Sequence, residues 1–150
     1  MNAHRPTTGT GRSTGLVTII GIVEHGDQRG RTIGFPTANL RLDLDHAHIE
    51  DGVYAASVRL DDGRCVDSAV SIGRRPTFYP EGVRLCEAHL IDFDDDIYDT
   101  CIAVSLVARI RRQTRFESVA ELVAQLHDDV RACTNFLRDL SNWPTGADAE

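Results

Sequence analysis

Apolar residues fall into six short runs that alternate or cluster, and the period changes once, near residue 118. Leu16 to Glu24 (LVTIIGIVE) is a β-branched run that predicts a mostly buried first strand. Thr37 to Arg41 predicts a short second strand. Gly52 to Leu60 (GVYAASVRL) and Cys65 to Ile72 (CVDSAVSI) flank Asp62-Gly63, a strong hairpin signal joining a third and a fourth strand. Arg84 to Phe93 (RLCEAHLIDF) predicts a fifth strand. It puts Leu85, Glu87, His89, Ile91 and Phe93 on one face and Cys86, Ala88 and Leu90 on the other. Ile102 to Arg111 (IAVSLVARIR) alternates and predicts a sixth. Ser118-Val119-Ala120-Glu121 then has the form of a capping box. Val119, Leu122, Leu126, Val130, Cys133, Leu137 and Leu140 recur at three- and four-residue steps, which predicts an amphipathic helix from about Val119 to Leu140.

Six antiparallel-looking strands followed by one helix suggest a small β-barrel with the helix laid on its outside. The strands and helices do not alternate, which argues against a doubly wound nucleotide-binding fold. The expected organisation is a disordered tail over residues 1–15, one folded unit over 16–141, and a tail over 142–150 whose Trp143 packs back on the body. No internal repeat is visible.

Composition narrows the chemistry. The 150 residues carry a net charge of −7, which argues against nucleic acid as a partner, since that surface needs a clustered basic excess. No apolar run approaches the ~20 residues that span a bilayer, and residues 1–15 hold no signal-peptide core, so no membrane role and a cytoplasmic location are expected. All sixteen basic residues are arginine. Without lysine there is neither a Walker A loop nor a protein-kinase strand lysine, so phosphate must be handled by arginine, backbone amides and metal. The four cysteines show no C-x-x-C spacing and read as small buried hydrophobes in a reducing compartment.

The candidate chemistry concentrates in Gly26 to Leu40, GDQRGRTIGFPTANL. Glycines there allow close backbone approach, successive N–H groups can cradle an anion, and Arg29 and Arg31 offer forked donors for phosphate. Thr37 and Asn39, two apart on an extended segment, present a hydroxyl and an amide oxygen on one face. Such neutral hard ligands suit Mg²⁺ whose remaining ligands are phosphates and water. A glycine loop alone fits a solvated hairpin better; what shifts the balance toward a Mg-nucleotide site is that the string GFPTAN resembles the signature of the riboflavin kinase (flavokinase) family. His46 and His48 lack a third ligand and fit a solvated loop, as do Asp92, Asp94, Asp95, Asp96 and Asp99. Glu87 is the anomaly of the fifth strand. A carboxylate on a largely apolar face is costly to bury unless paired or functional, and partial desolvation raises its proton affinity as a general base requires. A sheet-edge glutamate paired with arginine is an equal alternative. His89 reads as a packed or supporting histidine.

Five motifs in order give a more specific signal: GIVEHGDQRGRTIGFPTANL, DGVYA, SIGRRPTF, CEAHLIDFDDDIYD and ARIRRQTRFESVAEL. Over about residues 20 to 138 the chain resembles the riboflavin kinase (flavokinase) family, found alone or at the C-terminus of bifunctional enzymes that also make FAD. The resemblance implies an all-β fold, a six-stranded antiparallel Greek-key barrel with one C-terminal helix packed outside. It implies transfer of the ATP γ-phosphoryl group to the 5′-hydroxyl of riboflavin, giving FMN and ADP, with Mg²⁺ or another divalent ion. By resemblance Thr37 and Asn39 are metal and nucleotide ligands, Gly26 and Arg31 belong to the loop that embraces ATP, and Glu87 is the catalytic base. Arg111 and the segment to Phe116 match the region that closes over the flavin. Asp99 stands where the family usually has glycine, which is expected to alter a flavin-side turn. The chain has no room for an adenylyltransferase domain, so FMN and not FAD is the expected product, and a monomer is expected. The alternatives are a catalytically weak flavin-binding regulatory module on the same barrel, or an OB-like nucleic-acid barrel, which the acidic balance disfavours.

Overall fold

The computed structural model describes residues 17–25, 34–74 and 83–142. Its elements are β1 (Val17–Ile22), β2 (Ala38–Leu42), β3 (Gly52–Arg59), β4 (Cys65–Arg74), β5 (Arg84–Leu90), β6 (Cys101–Arg111) and α1 (Val119–Ser141), with a single 3-10 turn at Leu44–His46. The expected tail 1–15, Trp143, the stretch holding Gly26, Arg29 and Arg31, and most of the second Gly/Arg/Pro loop lie outside the described residues. Asn142, expected in the C-terminal tail, instead caps α1, donating its N–H to Arg138 O at 3.1 Å.

Every strand pair is antiparallel, in the order β1-β6-β3-β4-β5-β2. Strands β3, β4 and β5 are successive neighbours and β6 returns beside β3, which is Greek-key connectivity. The two ends of the sheet meet where Glu24 N–H donates to Asn39 O at 2.9 Å, so the sheet curls into a nearly closed barrel. The chain is therefore the six-stranded barrel with a C-terminal helix that its periodicity predicts.

Alternation sends one residue in two to the barrel interior. Ile19, Leu40, Val58, Val70, Ile72, Cys86, Ala88, Ile102 and Val104 fill it. Two expectations about faces are corrected. β1 is not mostly buried: Ile19 points inward at 1% exposure, but Ile20 and Ile22 stand at 65% and 53%. A β-branched run signals extended backbone and does not say whether the outer face is covered. The fifth strand also ends at Leu90, not Phe93. Asp92 takes the left-handed conformation at φ 56, which breaks the alternation, and Phe93 packs against the interior cluster and away from the Glu87 face.

A second, smaller core forms outside the barrel. Ala55 of β3 and Ala69 of β4 present small outer faces on which α1 sets Cys133 and Leu137. Ser118 Oγ accepts from Glu121 N–H at 3.1 Å and starts the helix. The capping box is modified, because the Glu121 carboxylate reaches Glu117 N–H at 3.1 Å, one residue before the cap. Val119 and Leu140, counted into the apolar stripe, are exposed at the helix ends. The cysteines divide as well: Cys86 and Cys133 are buried, while Cys65 and Cys101, expected inside, are exposed at the first positions of β4 and β6. Burial pushes both buried thiols up to about 12, with Glu87 and Asp129 adding to the shift at Cys86 and Cys133 respectively.

The helix is tied to the barrel by one ion pair. Arg111, the last residue of β6, donates from Nε and Nη2 to the two carboxylate oxygens of Asp129 at 2.7 and 2.8 Å. Gln125 adds a third donor to Asp129 at 2.9 Å, and the Asp129 side chain is only 4% exposed. Removing one member of a buried pair leaves the other charge desolvated and costs ~3–5 kcal/mol. Asp129→Ala should therefore destabilise by about 3 kcal/mol and lower Tm by roughly 6–12 °C for a domain of this size. Thermal unfolding of the variant checks this; a change of less than ~1 °C would mean the pair is not what anchors the helix.

Candidate functional site

The barrel's register assembles a line of side chains across its outer face. Asn39 of β2 lies opposite Glu87 of β5, and Glu87 opposite Ser71 of β4. Ser71 lies opposite Val53 of β3, and Val53 opposite Arg111 of β6. Directly paired residues project to the same side of a sheet, so this row runs from the barrel seam to the helix anchor.

A cavity of about 600 Å³ opens over the row, between the sheet and the N-terminal half of α1. Ser71, Leu85, Glu87 and His89 line its sheet wall; Leu122, Leu126 and Val130 line its helix wall. Thr114, Arg115 and Phe116 border it from the segment joining β6 to α1. Gln113 pins that segment to β4, donating from Nε2 to Ser71 Oγ at 2.8 Å and to Ile72 O at 2.9 Å. The volume is that of a small-molecule site, with an apolar helix wall facing a sheet wall and border rich in polar side chains.

A second cleft, about 120 Å³, lies on the other side of Thr37, against Val23, Pro36, Phe93, Ile97 and Tyr98. Thr37 thus borders both spaces. Its hydroxyl donates to Asn39 Oδ1 at 3.3 Å, which verifies that the two side chains share a face. The donation uses the hydroxyl's one proton and leaves oxygen lone pairs on both residues. Asn39 is 6% exposed, a buried polar group set in the seam. The donor set fits a hard divalent cation arriving with phosphates: two adjacent neutral oxygens beside a carboxylate strand.

The structure brings Thr37, Asn39 and Glu87 together and sets Arg111 and Phe116 on the same cavity, with the Arg111 guanidinium 5.9 Å from the Phe116 ring. The fork of Arg111 is engaged by Asp129, so this residue orders the cavity's edge. Gly26 and Arg31 lie outside the described residues. His46 joins the 3-10 turn through Asp43, away from both spaces, whereas Asp95 pairs with Arg64 at 3.2 Å and borders the smaller cleft with Asp94 and Asp96. Asp99 sits at φ 67, a conformation that favours glycine, and its turn borders the smaller cleft, not the larger cavity. There Asp99 N–H donates to Val23 O at 2.9 Å, and His25 stacks on Tyr98 with ring centres 4.0 Å apart.

With that geometry in view, the family can be read directly. A family model described as "Flavokinase: Riboflavin kinase" matches residues 14–137. The chain belongs to the riboflavin kinase family. A bifunctional riboflavin kinase/FMN adenylyltransferase of Haemophilus influenzae is 41% identical over 119 residues, 79% of this chain and 38% of the relative. A riboflavin kinase structure from Trypanosoma brucei superposes with a TM-score of 0.61 at 25% identity, covering 85% of this chain and 83% of the other. A Streptococcus pneumoniae structure described as a macrolide-efflux protein superposes with a TM-score of 0.68 at 38% identity, covering 79% of this chain and 38% of the other. The chain thus spans under two fifths of the bifunctional relative's length. No helix among the described residues is long and apolar enough to cross a membrane.

Sequence reasoning missed Asp129, Gln113 and the structural need for Gly52. Asp129 left a signal: it stands between Leu126 and Cys133 in the apolar stripe of α1. Gln113 left none. Gly52 has φ +154, and a Cβ there would sit 2.6 Å from Arg109 Nε and 2.8 Å from Arg111 O. The first neighbour can swing away, whereas the second is backbone at the edge of the cavity. Gly52→Ala should therefore displace the end of β6 and destabilise by roughly 1–3 kcal/mol, the usual cost of overpacking. Denaturant unfolding tests it; an unchanged midpoint would show that β6 yields freely.

Proposed function

We propose that this protein is a riboflavin kinase, transferring the γ-phosphoryl group of ATP to the 5′-hydroxyl of riboflavin to give FMN and ADP. The observation that carries the reading is Glu87. Its carboxylate strand position lies between Asn39 and Ser71 on the wall of the larger cavity, with Thr37 bordering that cavity and the smaller cleft alike. Riboflavin occupies the larger cavity, its ring system between Leu122, Leu126 and Phe116 and its ribityl chain directed along the sheet to Glu87. The nucleotide lies on the Thr37 side, and the resemblance assigns Gly26 and Arg31 to the loop that embraces it.

Phosphoryl transfer passes through a loose transition state, so positioning and charge neutralisation do most of the work. Glu87 accepts the hydroxyl proton as the oxygen bonds to phosphorus, and ADP leaves with the electron pair of the broken P–O bond. Ser71 and Gln113 hold the segment that borders the cavity, and Arg111 holds its start against Asp129. Thr37 and Asn39 would hold Mg²⁺, which neutralises phosphate charge when bound. Free Cys65 and Cys101, both exposed, suit a reducing cytoplasm. A flavin-binding regulatory module on the same barrel would have no use for the Thr37–Asn39 oxygen pair.

The test is ATP-dependent conversion of riboflavin to FMN by the purified chain, followed in wild type and Glu87→Gln. Gln keeps the shape and one acceptor oxygen but removes basicity. A general base contributes ~10²–10⁴-fold, so kcat should fall by about that factor with little change in substrate affinities or Tm. No FMN from wild type would overturn the proposal, and unchanged kcat in the variant would remove Glu87 from the chemistry.

A further inference from the structure

His89 makes one contact that packing alone does not explain. It follows Glu87 by two residues on β5, so its imidazole projects onto the same cavity wall. Its Nδ1 lies 3.0 Å from Pro36 O. A carbonyl oxygen only accepts, so Nδ1 carries the proton. The ring also packs against Phe35, 5.2 Å between centres, while Phe35 meets His127 of α1 edge-on at 4.9 Å. Phe35 is 8% exposed, held between strand and helix.

The place of this contact in the β-ladder gives it a purpose. β2 pairs with β5 from Ala38↔Ala88 through Leu42↔Arg84. One step further the same register would set Thr37 opposite His89, but the ladder stops at Ala38. Proline has no N–H to offer a ladder, and the backbone of Pro36 and Thr37 lies outside the strand. The imidazole donor reaches the Pro36 carbonyl at that point. Because the peptide bond is planar, fixing Pro36 O fixes the plane from which Thr37 departs.

We propose that His89 is a positioning residue, a side-chain extension of the β2–β5 ladder that fixes the Thr37 backbone so that the Thr37 hydroxyl stays aligned with Asn39. The inference rests on the kinase reading for what Thr37 binds, and on geometry alone for how Thr37 is held.

Three substitutions separate this role from packing. His89→Phe keeps a ring against Phe35 and removes the donor. His89→Asn places an amide nitrogen near the Nδ1 position and retains it. Thr37→Ala removes the residue through which the effect must pass. MgADP affinity by calorimetry, riboflavin affinity by flavin fluorescence without nucleotide, Tm, and the KM for MgATP are measured for each. One hydrogen bond is worth ~0.5–1.5 kcal/mol, so His89→Phe should weaken MgADP binding and raise the KM for MgATP about two- to tenfold. His89→Asn should return to within about twofold of wild type, and riboflavin affinity should stay within that range throughout. His89→Phe combined with Thr37→Ala should be no worse than Thr37→Ala alone, because both act on one contact. Unaltered MgADP affinity in His89→Phe, an additive double variant, or a loss confined to Tm would each overturn the proposal. Wild-type protein that binds MgADP but makes no FMN would defeat the kinase reading and leave the His89 inference standing.

Discussion

The pairing of β2 with β5 is the constraint on which the rest depends. With Asn39 opposite Glu87, a neutral oxygen pair and a carboxylate come to lie on neighbouring strands facing one way. A slip of one residue would turn the carboxylate into the barrel, among Cys86, Ala88 and Leu90, where an unpaired charge is prohibitively costly. The interior apolar set therefore fixes the register, and the register in turn fixes the site. Function here is placed by the same alternation that buries the core.

Closure adds the second requirement. Asn39 takes part in both β2 edges: its backbone pairs across to Glu87 and accepts from Glu24 N–H, where the barrel meets itself. The residue proposed as a metal ligand is thereby among the most constrained in the fold. At the other end of the transverse row, Arg111 spends its fork on Asp129 and so fixes where α1 begins to cover the sheet. The small outer faces of Ala55 and Ala69 bring the C-terminal half of the helix close, while the N-terminal half stands away over Ser71 and Glu87. The cavity is the wedge between the two.

Much of this was legible in the residues because it is local. Alternation located six strands, and the capping serine with a three- and four-residue stripe gave α1 to within a residue of its end. The spacing of Thr37 and Asn39 implied a shared face, and Glu87 stood out as a carboxylate where apolar residues were due. What escaped is non-local or depends on a single dihedral. That Asn39 faces Glu87 follows from strand order, which no window of sequence contains. Asp129 and Arg111 are eighteen residues apart with a change of element between them. Asp92 ends its strand by entering the left-handed region, which aspartate permits but does not announce, so alternation alone puts Phe93 on the wrong face. The exposure of Ile20 and Ile22 depends on what covers β1, not on β1 itself.

The central claim is that one outer face of the barrel aligns the flavin hydroxyl with the nucleotide phosphate through Glu87. A crystal structure with riboflavin and MgADP bound tests it most directly, through the distance from the ribityl terminal oxygen to the Glu87 carboxylate. The account predicts hydrogen-bond reach, ~2.6–3.2 Å, with the flavin ring beneath α1 and Mg²⁺ on Thr37 and Asn39. A flavin bound elsewhere on the barrel, or a ribityl terminus turned away from Glu87 with nucleotide in place, would contradict it.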